Sequence, residues 1–246
     1  MLKKIEDVTP EDIASLCDHT FLQRSEAYKT VAKSGESATR LREKAFIDFL
    51  DKTKALQYKP YAVCVRPEDI AETVAYLNGT GIKVASVVGF PDGNKYSTVF
   101  KVAETLLAVE NGADEIDMVL NYDKFKEHEF EYVKQDINAV VDAAGDAVVK
   151  LIFETSELTE DQLVVACRIA VECNVPFIKT STGFGSGGAK AEHLRIMKQH
   201  FKRGIKMSGG ITKDNVKELL SALSDNGMIN VDPMKIRIGE SSLLNN

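Results

Sequence analysis

The chain has 246 residues, 44% of them hydrophobic and 28% charged. That balance excludes a disordered polymer and is enough for a large core without metal or disulfide staples. Basic residues number 31 and acidic ones 37, a net charge of -6, which excludes nucleic acid as the main partner because phosphate backbones call for a basic face.

No apolar run approaches the roughly 18 residues of a membrane helix, and the opening MLKKIEDVTPED has no apolar signal-peptide core. Cys17, Cys64, Cys167 and Cys173 form no CxxC pair, and His19, His128, His193 and His200 show no metal-ligand spacing. A cytoplasmic protein with no metal site, no disulfide framework and no bound cofactor is expected.

In chain order, residues 9–16 predict an opening helix with Pro10 at its first position. A strand at 16–20 follows. Residues 23–56 then make a long charged connection with helical spacing at Leu41, Ala45, Phe49 and Leu50. Strands are predicted at 61–66, 82–88, 115–120, 147–153, 176–180, 204–208 and 235–239, several of them apolar almost throughout, as strands buried on both faces are. Between them lie amphipathic helices: Val99, Val102, Ala103, Leu106 and Leu107 on one, Phe130, Val133, Ile137, Val140 and Val141 on another. Thr159 and Gln162 form a capping box for a third, and Thr212 is expected to cap a fourth through Val216, Leu219, Leu220 and Leu223. The eighth helix is expected to be a turn or two at most.

Eight strands alternating with helices point to a single α/β domain over residues 1–246, a closed (β/α)8 TIM barrel with an extra N-terminal helix and a helical insertion after the first strand; such barrels run to about 250 residues. An open doubly wound sheet is the alternative.

Three lysines sit where apolar residues belong: Lys179 in PFIKTST, Lys206 in GIKMSGG and Lys150 in KLIFET. A lone lysine of this kind snorkels to a strand end as readily as it acts. Three on neighbouring strands, with Asp117 in EIDMVL, Asp18 in LCDHT and Glu154 ending KLIFE, indicate a charge cluster near the C-terminal mouth. Asp117 also reads simply as their counter-ion. An amine crowded by a second cation in a desolvated pocket is partly neutral near pH 7 and can attack a carbonyl to form a Schiff base, an electron sink for C–C cleavage. Glycine or serine turns close three consecutive predicted strands (Thr182-Gly183, Gly209-Gly210, and Gly239 with Ser241-Ser242), a pattern suited to holding an anion on backbone N–H groups.

The segments DHTFL, AVCVRP, SVVGFPDG, NGADEIDMVLNY, KLIFETSEL, FIKTSTGFG, KMSGG and IGESSLL, in this order, resemble the signature of the deoxyribose-phosphate aldolases, from about Asp18 to Leu244. The resemblance implies a class I aldolase on a (β/α)8 barrel that reversibly cleaves 2-deoxy-D-ribose 5-phosphate to acetaldehyde and D-glyceraldehyde 3-phosphate. It implies Lys179 as the Schiff-base lysine, Lys206 as the second lysine and Asp117 as the proton-relay aspartate. Asp18, Thr20, Cys64, Lys150 and Thr182 match pocket positions, and Gly183, Gly209, Gly210, Gly239, Ser241 and Ser242 match the phosphate cradle. The chain departs from the pattern in the run Met207-Ser208-Gly209-Gly210-Ile211-Thr212, in Phe184 where some members carry lysine, and in the length of the connection at 23–56. Fewer cations are therefore expected around a phosphate. The expected partners are small phosphosugars and aldehydes, with a homodimer as one expected assembly and no nucleic acid or membrane. Another Schiff-base phosphosugar aldolase or transaldolase, and a non-catalytic phosphosugar-binding barrel, are the alternatives.

Overall fold

The computed structural model describes residues 1–244. A short strand β1 (Leu2–Lys4) leads to helix α1 (Pro10–Leu16), where Thr9 and Asp12 form a reciprocal capping box and Pro10 opens the helix. The chain then alternates: β2 (Cys17–Thr20), α2 (Ala38–Ala55), β3 (Ala62–Val65), α3 (Ile70–Leu77), β4 (Lys83–Val88), α4 (Thr98–Glu110), β5 (Glu115–Val119), α5 (Tyr122–Lys126), α6 (Phe130–Ala144), β6 (Val148–Ile152), α7 (Glu160–Glu172), β7 (Phe177–Lys179), α8 (Ala191–His200), β8 (Gly204–Ser208), α9 (Val216–Ala222), β9 (Met228–Asn230) and β10 (Ile236–Glu240).

Eight parallel strands close a barrel in the order β10-β2-β3-β4-β5-β6-β7-β8. The fold is a (β/α)8 TIM barrel. Every one of the eight predicted strands is present, its ends displaced by no more than one residue. The helix expected after the first strand is also present: α2 takes the place of the barrel's first outer helix, so the additional length lies in residues 21–37. A two-stranded antiparallel ribbon of β1 and β9, pairing Leu2 with Asn230, carries no periodicity long enough to be read from sequence. After β10 the described residues form only a turn. No helix among the described residues is long and apolar enough to cross a membrane.

The strands have an inverted pattern. Outward residues such as Ile116, Met118, Leu151, Ile178, Met207 and Ile238 join the core between barrel and helices. Inward residues on the same strands carry Asp117, Lys150, Lys179, Lys206 and Arg237, all buried. Alternation in a strand normally separates core from water; here both faces are buried, and the alternation separates an apolar layer from a charged one.

The cap expected at Thr212 is not formed. α9 begins three residues later than a Thr212 cap requires, because the Asn215 side chain turns back to accept the Thr212 N–H at 2.8 Å and donates to Gly210 O at 2.8 Å. Residues 212–215 are consumed in that turn. The capping box at Thr159 and Gln162 is formed as expected.

Gly204 leaves room for a neighbour inside the barrel: a Cβ there would lie 2.3 Å from the Phe177 ring, which β7 aims into the interior. Gly204→Ala is expected to destabilise the protein by about 1–3 kcal/mol through overpacking, read as a lower urea midpoint, and Gly204→Ala combined with Phe177→Leu to recover part of the loss.

Candidate active site

Parallel register fixes where the charges go. Asp117 pairs with Lys150 across β5 and β6, Lys179 with Lys206 across β7 and β8, and Lys206 with Arg237 across β8 and β10. Residues paired side by side in a parallel sheet point to the same face, so the lysines that stood apart in sequence meet on one level of the interior.

Six of these side chains form a closed ring of alternating charge. Asp117 Oδ2 accepts from Lys206 Nζ at 2.8 Å, and Lys206 reaches Asp18 Oδ2 at 2.5 Å. Asp18 Oδ1 accepts from Arg237 Nη1 at 2.6 Å, and Arg237 Nη2 donates to Glu115 Oε1 at 2.6 Å. Glu115 Oε2 lies 2.5 Å from Lys150 Nζ, which returns to Asp117 Oδ1 at 2.8 Å. The ring holds three cations and three carboxylates and is neutral as a unit. Lys179 is attached from outside it, its Nζ 2.8 Å from Asp117 Oδ2.

Charge state follows from that arrangement. Burial alone would lower Lys206 and Lys150, yet the carboxylates on either side hold both above the ordinary lysine range. Burial would raise Asp117 and Asp18, and the ammonium groups around them hold both below the usual carboxylate range. Lys179 goes the other way: burial pushes it down, and the neighbouring Lys206 cation adds to the shift against the attraction of Asp117 and of Cys64. With Lys179 neutral, the cluster has no net charge.

Lys179 is also the one member of the cluster that lines a cleft of about 600 Å³ at the C-terminal mouth. Thr20, Thr182, Gly183, Gly209, Gly210, Gly239, Ser241 and Ser242 line the same cleft. Gly209 and Gly210 adopt φ of +86° and +70°, a backbone region that side chains disfavour, so the strand ends in a turn only glycines enter readily. Gly239 serves a second purpose, since a Cβ there would lie 3.0 Å from Lys206 Cε and 2.8 Å from Ser208 Cβ.

Asp18, Cys64 and Lys150 lie beneath the cleft floor and touch Asp117 or its ring partners instead of the open volume. Cys64 Sγ is 3.9 Å from Asp117 Oδ2, and burial pushes its thiol up to about 11, which keeps it protonated and inert.

Four charged or titratable positions, Glu115, Arg237, His19 and Glu240, escaped the sequence reading of the site, and Glu154 was read there only as part of the charge cluster. Glu115 and Arg237 complete the ring; both sit in core-like strands as the lysines do, so the same signal was available for them. Glu154 has a left-handed backbone, φ 53°, and its Oε2 accepts both the Thr182 N–H at 3.1 Å and the Thr182 hydroxyl at 2.5 Å, clamping the loop after β7. Its burial raises its carboxyl above the usual value. His19 and Glu240 pair outside the barrel wall at 2.5 Å, and nothing in their spacing announced it.

Helix α2 walls the cleft from the side. Arg42 donates to Gln23 O at 3.1 Å and grips the Asp69 carboxylate, while its guanidinium covers Phe21 and Phe46. Gln23, Phe21 and Phe49 all line the cleft.

Known proteins resemble the chain in sequence and in fold. Residues 37–245 match the family described as DeoC/LacD family aldolase. A curated deoxyribose-phosphate aldolase of Clostridium botulinum is 41% identical over 187 residues, covering 75% of this chain and 85% of that protein. One from Aciduliprofundum boonei is 42% identical over 174 residues, covering 69% of this chain and 77% of that protein. A solved aldolase structure superposes with a TM-score of 0.77 at 30% identity, covering 95% of this chain and 93% of that one.

Removing one ring member leaves its partners buried and unpaired. Arg237→Met is expected to cost about 3–5 kcal/mol of stability, measured by urea unfolding, because Asp18 and Glu115 both lose their guanidinium partner; a loss below about 1 kcal/mol, the range of an exposed pair, contradicts a closed ring.

Proposed function

Because the chain belongs to the DeoC/LacD family of aldolases, we propose that it reversibly cleaves 2-deoxy-D-ribose 5-phosphate to D-glyceraldehyde 3-phosphate and acetaldehyde through a Schiff base on Lys179. The observation that carries this reading is the surplus amine: one lysine, outside a neutral ring of six charges, depressed by burial and facing the cleft. A neutral amine attacks the C1 aldehyde, and the carbinolamine loses water to give an iminium. The C3 hydroxyl gives up its proton as the C2–C3 bond breaks, the electron pair moves into the C1–C2 enamine, and glyceraldehyde 3-phosphate leaves. Protonation at C2 and hydrolysis release acetaldehyde and restore Lys179.

Asp117 stands in the right place to serve these steps, since one carboxylate oxygen meets both Lys179 and Lys206 at 2.8 Å. It steadies the iminium as a counter-ion and passes protons with Lys206. Asp18 and Lys150 hold Asp117 and Lys206 in place. Thr182, fixed by Glu154, and Thr20 orient sugar hydroxyls. The glycine and serine turns with Gly183, Gly209, Gly210, Gly239, Ser241 and Ser242 receive the phosphate on N–H and hydroxyl groups. The reading includes a cytoplasmic setting, supported by four free, buried thiols. It also includes a homodimer, supported by the exposed apolar stripe Val99, Phe100, Leu106 and Leu107 on α4.

Borohydride reduction in the presence of 2-deoxyribose 5-phosphate tests the covalent step. A two-carbon adduct on Lys179 in the peptide map is expected, with Lys179→Leu losing the adduct and roughly a thousandfold or more of kcat/KM. Transfer from fructose 6-phosphate in place of acetaldehyde release points to a transaldolase. Equal sugar-phosphate binding by wild type and Lys179→Leu without turnover in either points to a binding barrel.

The rising limb of kcat/KM against pH reports Lys179 losing its proton. Lys206→Met removes the neighbouring cation, so the folded-state pKa of Lys179 rises and the limb moves to higher pH, with the neutral-pH rate falling accordingly. An unmoved limb in a folded variant assigns the limb to another group.

A further inference from the structure

Removal of the C3 hydroxyl proton needs an acceptor near the cleft, and the charged ring is poorly suited to supply one. Both Asp117 oxygens are held by lysine amines, Oδ1 by Lys150 and Oδ2 by Lys179 and Lys206, and Asp18 is held in the same way by Lys206 and Arg237. These cations keep both carboxyls below the usual range, so each gives up ion pairs on taking a proton.

Glu154 differs in each respect. It follows β6 at the mouth of the barrel and is 3% exposed, yet among the described residues no cation forms an ion pair with it. Its Oε2 accepts the two Thr182 bonds, and Oε1 has only the Ser156 hydroxyl at 3.5 Å. The loop after β7 closes directly over the carboxylate: a Cβ at Gly185 would lie 2.9 Å from Glu154 Cδ, so the cover exists because residue 185 has no side chain. The left-handed backbone of Glu154 is a strained conformation of the kind that gathers at functional sites. Burial pushes the carboxyl above its usual value; the Thr182 bonds and Lys179 of β7 oppose that shift, and Glu157 on the same turn adds to it. Glu157 itself pairs with Lys126 of α5 at 3.2 Å, and the Tyr122 phenol of α5 also feels Glu154.

Thr182 connects this carboxylate to the cleft, which it lines together with Lys179. A hydroxyl has one proton and two lone pairs. The Thr182 proton is committed to Glu154, and one lone pair accepts the Phe184 N–H at 3.0 Å. One lone pair remains. Toward a sugar hydroxyl Thr182 can therefore only accept, which is the polarity that draws a proton out of the cleft.

We propose, on the Schiff-base reading of Lys179, that Glu154 is the terminal acceptor of the C3 hydroxyl proton and receives it through the Thr182 hydroxyl. As the C2–C3 bond breaks, the C3 hydroxyl hands its proton to Thr182 Oγ1, and Thr182 hands its own to Glu154 Oε2. The electron pair of the O–H bond forms the carbonyl of the departing aldehyde, and the C2–C3 pair enters the enamine. Once glyceraldehyde 3-phosphate has left, Glu154 returns the proton through Thr182 to water entering the emptied cleft. Glu154 touches no substrate atom and acts through Thr182, so it is a positioning residue that also stores the proton.

The test separates this step from the chemistry on either side of it. Enamine formation from acetaldehyde on Lys179 involves no C3 hydroxyl, and NMR reads it as exchange of the acetaldehyde methyl protons for deuterium in D2O. Glu154→Gln keeps an oxygen for both Thr182 bonds and cannot take the proton. It is expected to lower kcat for 2-deoxyribose 5-phosphate cleavage about a hundredfold, with KM and the exchange rate within about threefold of wild type. Borohydride trapping with the sugar phosphate is expected to change from the two-carbon adduct to the whole-sugar adduct on Lys179, because the iminium forms and waits. Thr182→Val, which removes the hydroxyl and keeps the shape, is expected to give the whole-sugar adduct too and serves where the glutamine variant fails to fold; Thr182→Ser is expected to restore the two-carbon adduct. A two-carbon adduct with undiminished kcat in Thr182→Val overturns the proposal. So does an equal loss of cleavage and exchange in Glu154→Gln, which means that Glu154 only braces the loop. If wild type neither exchanges acetaldehyde protons nor cleaves the sugar phosphate, the Schiff-base reading fails and takes the proposal with it; if wild type does both and Glu154→Gln keeps its kcat and the two-carbon adduct, the proposal alone fails.

Discussion

The Asp117 carboxylate accepts hydrogen bonds from three lysine amines at 2.8 Å in a space fully closed to solvent. Two cations and a third amine around one anion would be untenable on their own in a low-dielectric interior. The arrangement stands because Lys150 and Lys206 each have a second carboxylate, and Arg237 links those two carboxylates to each other. The ring thus closes on itself and leaves Lys179 as the one amine with a single partner.

This constraint reaches into the barrel's composition. An ordinary interior of this fold is filled by branched apolar side chains in layers. Here one apolar cluster inside the barrel is built from Cys64, Ala85, Val87, Val119 and Ile152 of β3 to β6, capped by Leu22 and Phe90. The charged layer is shared by β2, β5, β6, β7, β8 and β10, and small residues make room inside the barrel: Gly239 for the Lys206 stem and Gly204 for the Phe177 ring. A well-packed apolar core of equal volume is often as stable as a buried ionic one. The ionic layer is explained by what it does to Lys179, which is the pattern expected where function overrides the rules of packing.

The mouth of the barrel is assembled by different means. The turns that line it present backbone N–H groups and hydroxyls, with carboxylates used as clamps: Glu154 fixes Thr182, and Glu240 fixes the turn at Leu243. His19 bonds to Glu240, and through its stacking partner Phe49 it joins α2 to the cleft wall. The loop after β2 and the helix that follows it are therefore part of the cleft wall.

Much of this was legible in the sequence. Apolar runs of strand length alternating with amphipathic helices specify eight strands and their order, because periodicity and turn chemistry are local properties of the chain. Lysines and an aspartate inside such runs are improbable unless paired, so Lys150, Lys179, Lys206 and Asp117 stood out before any contact was known. Which charges meet was not legible. Arg237 bonds to Asp18 across 219 residues, and His19 to Glu240 across 221, and both contacts exist only because β10 closes against β2 in one register. The order of the ring, the isolation of Lys179 and the burial of Asp18, Cys64 and Lys150 below the floor follow from that closure. The sequence determined the strands and the chemistry each one carries; the register of the closed barrel decided which of those groups share a dielectric and a hydrogen bond, since that depends on distances no local pattern encodes.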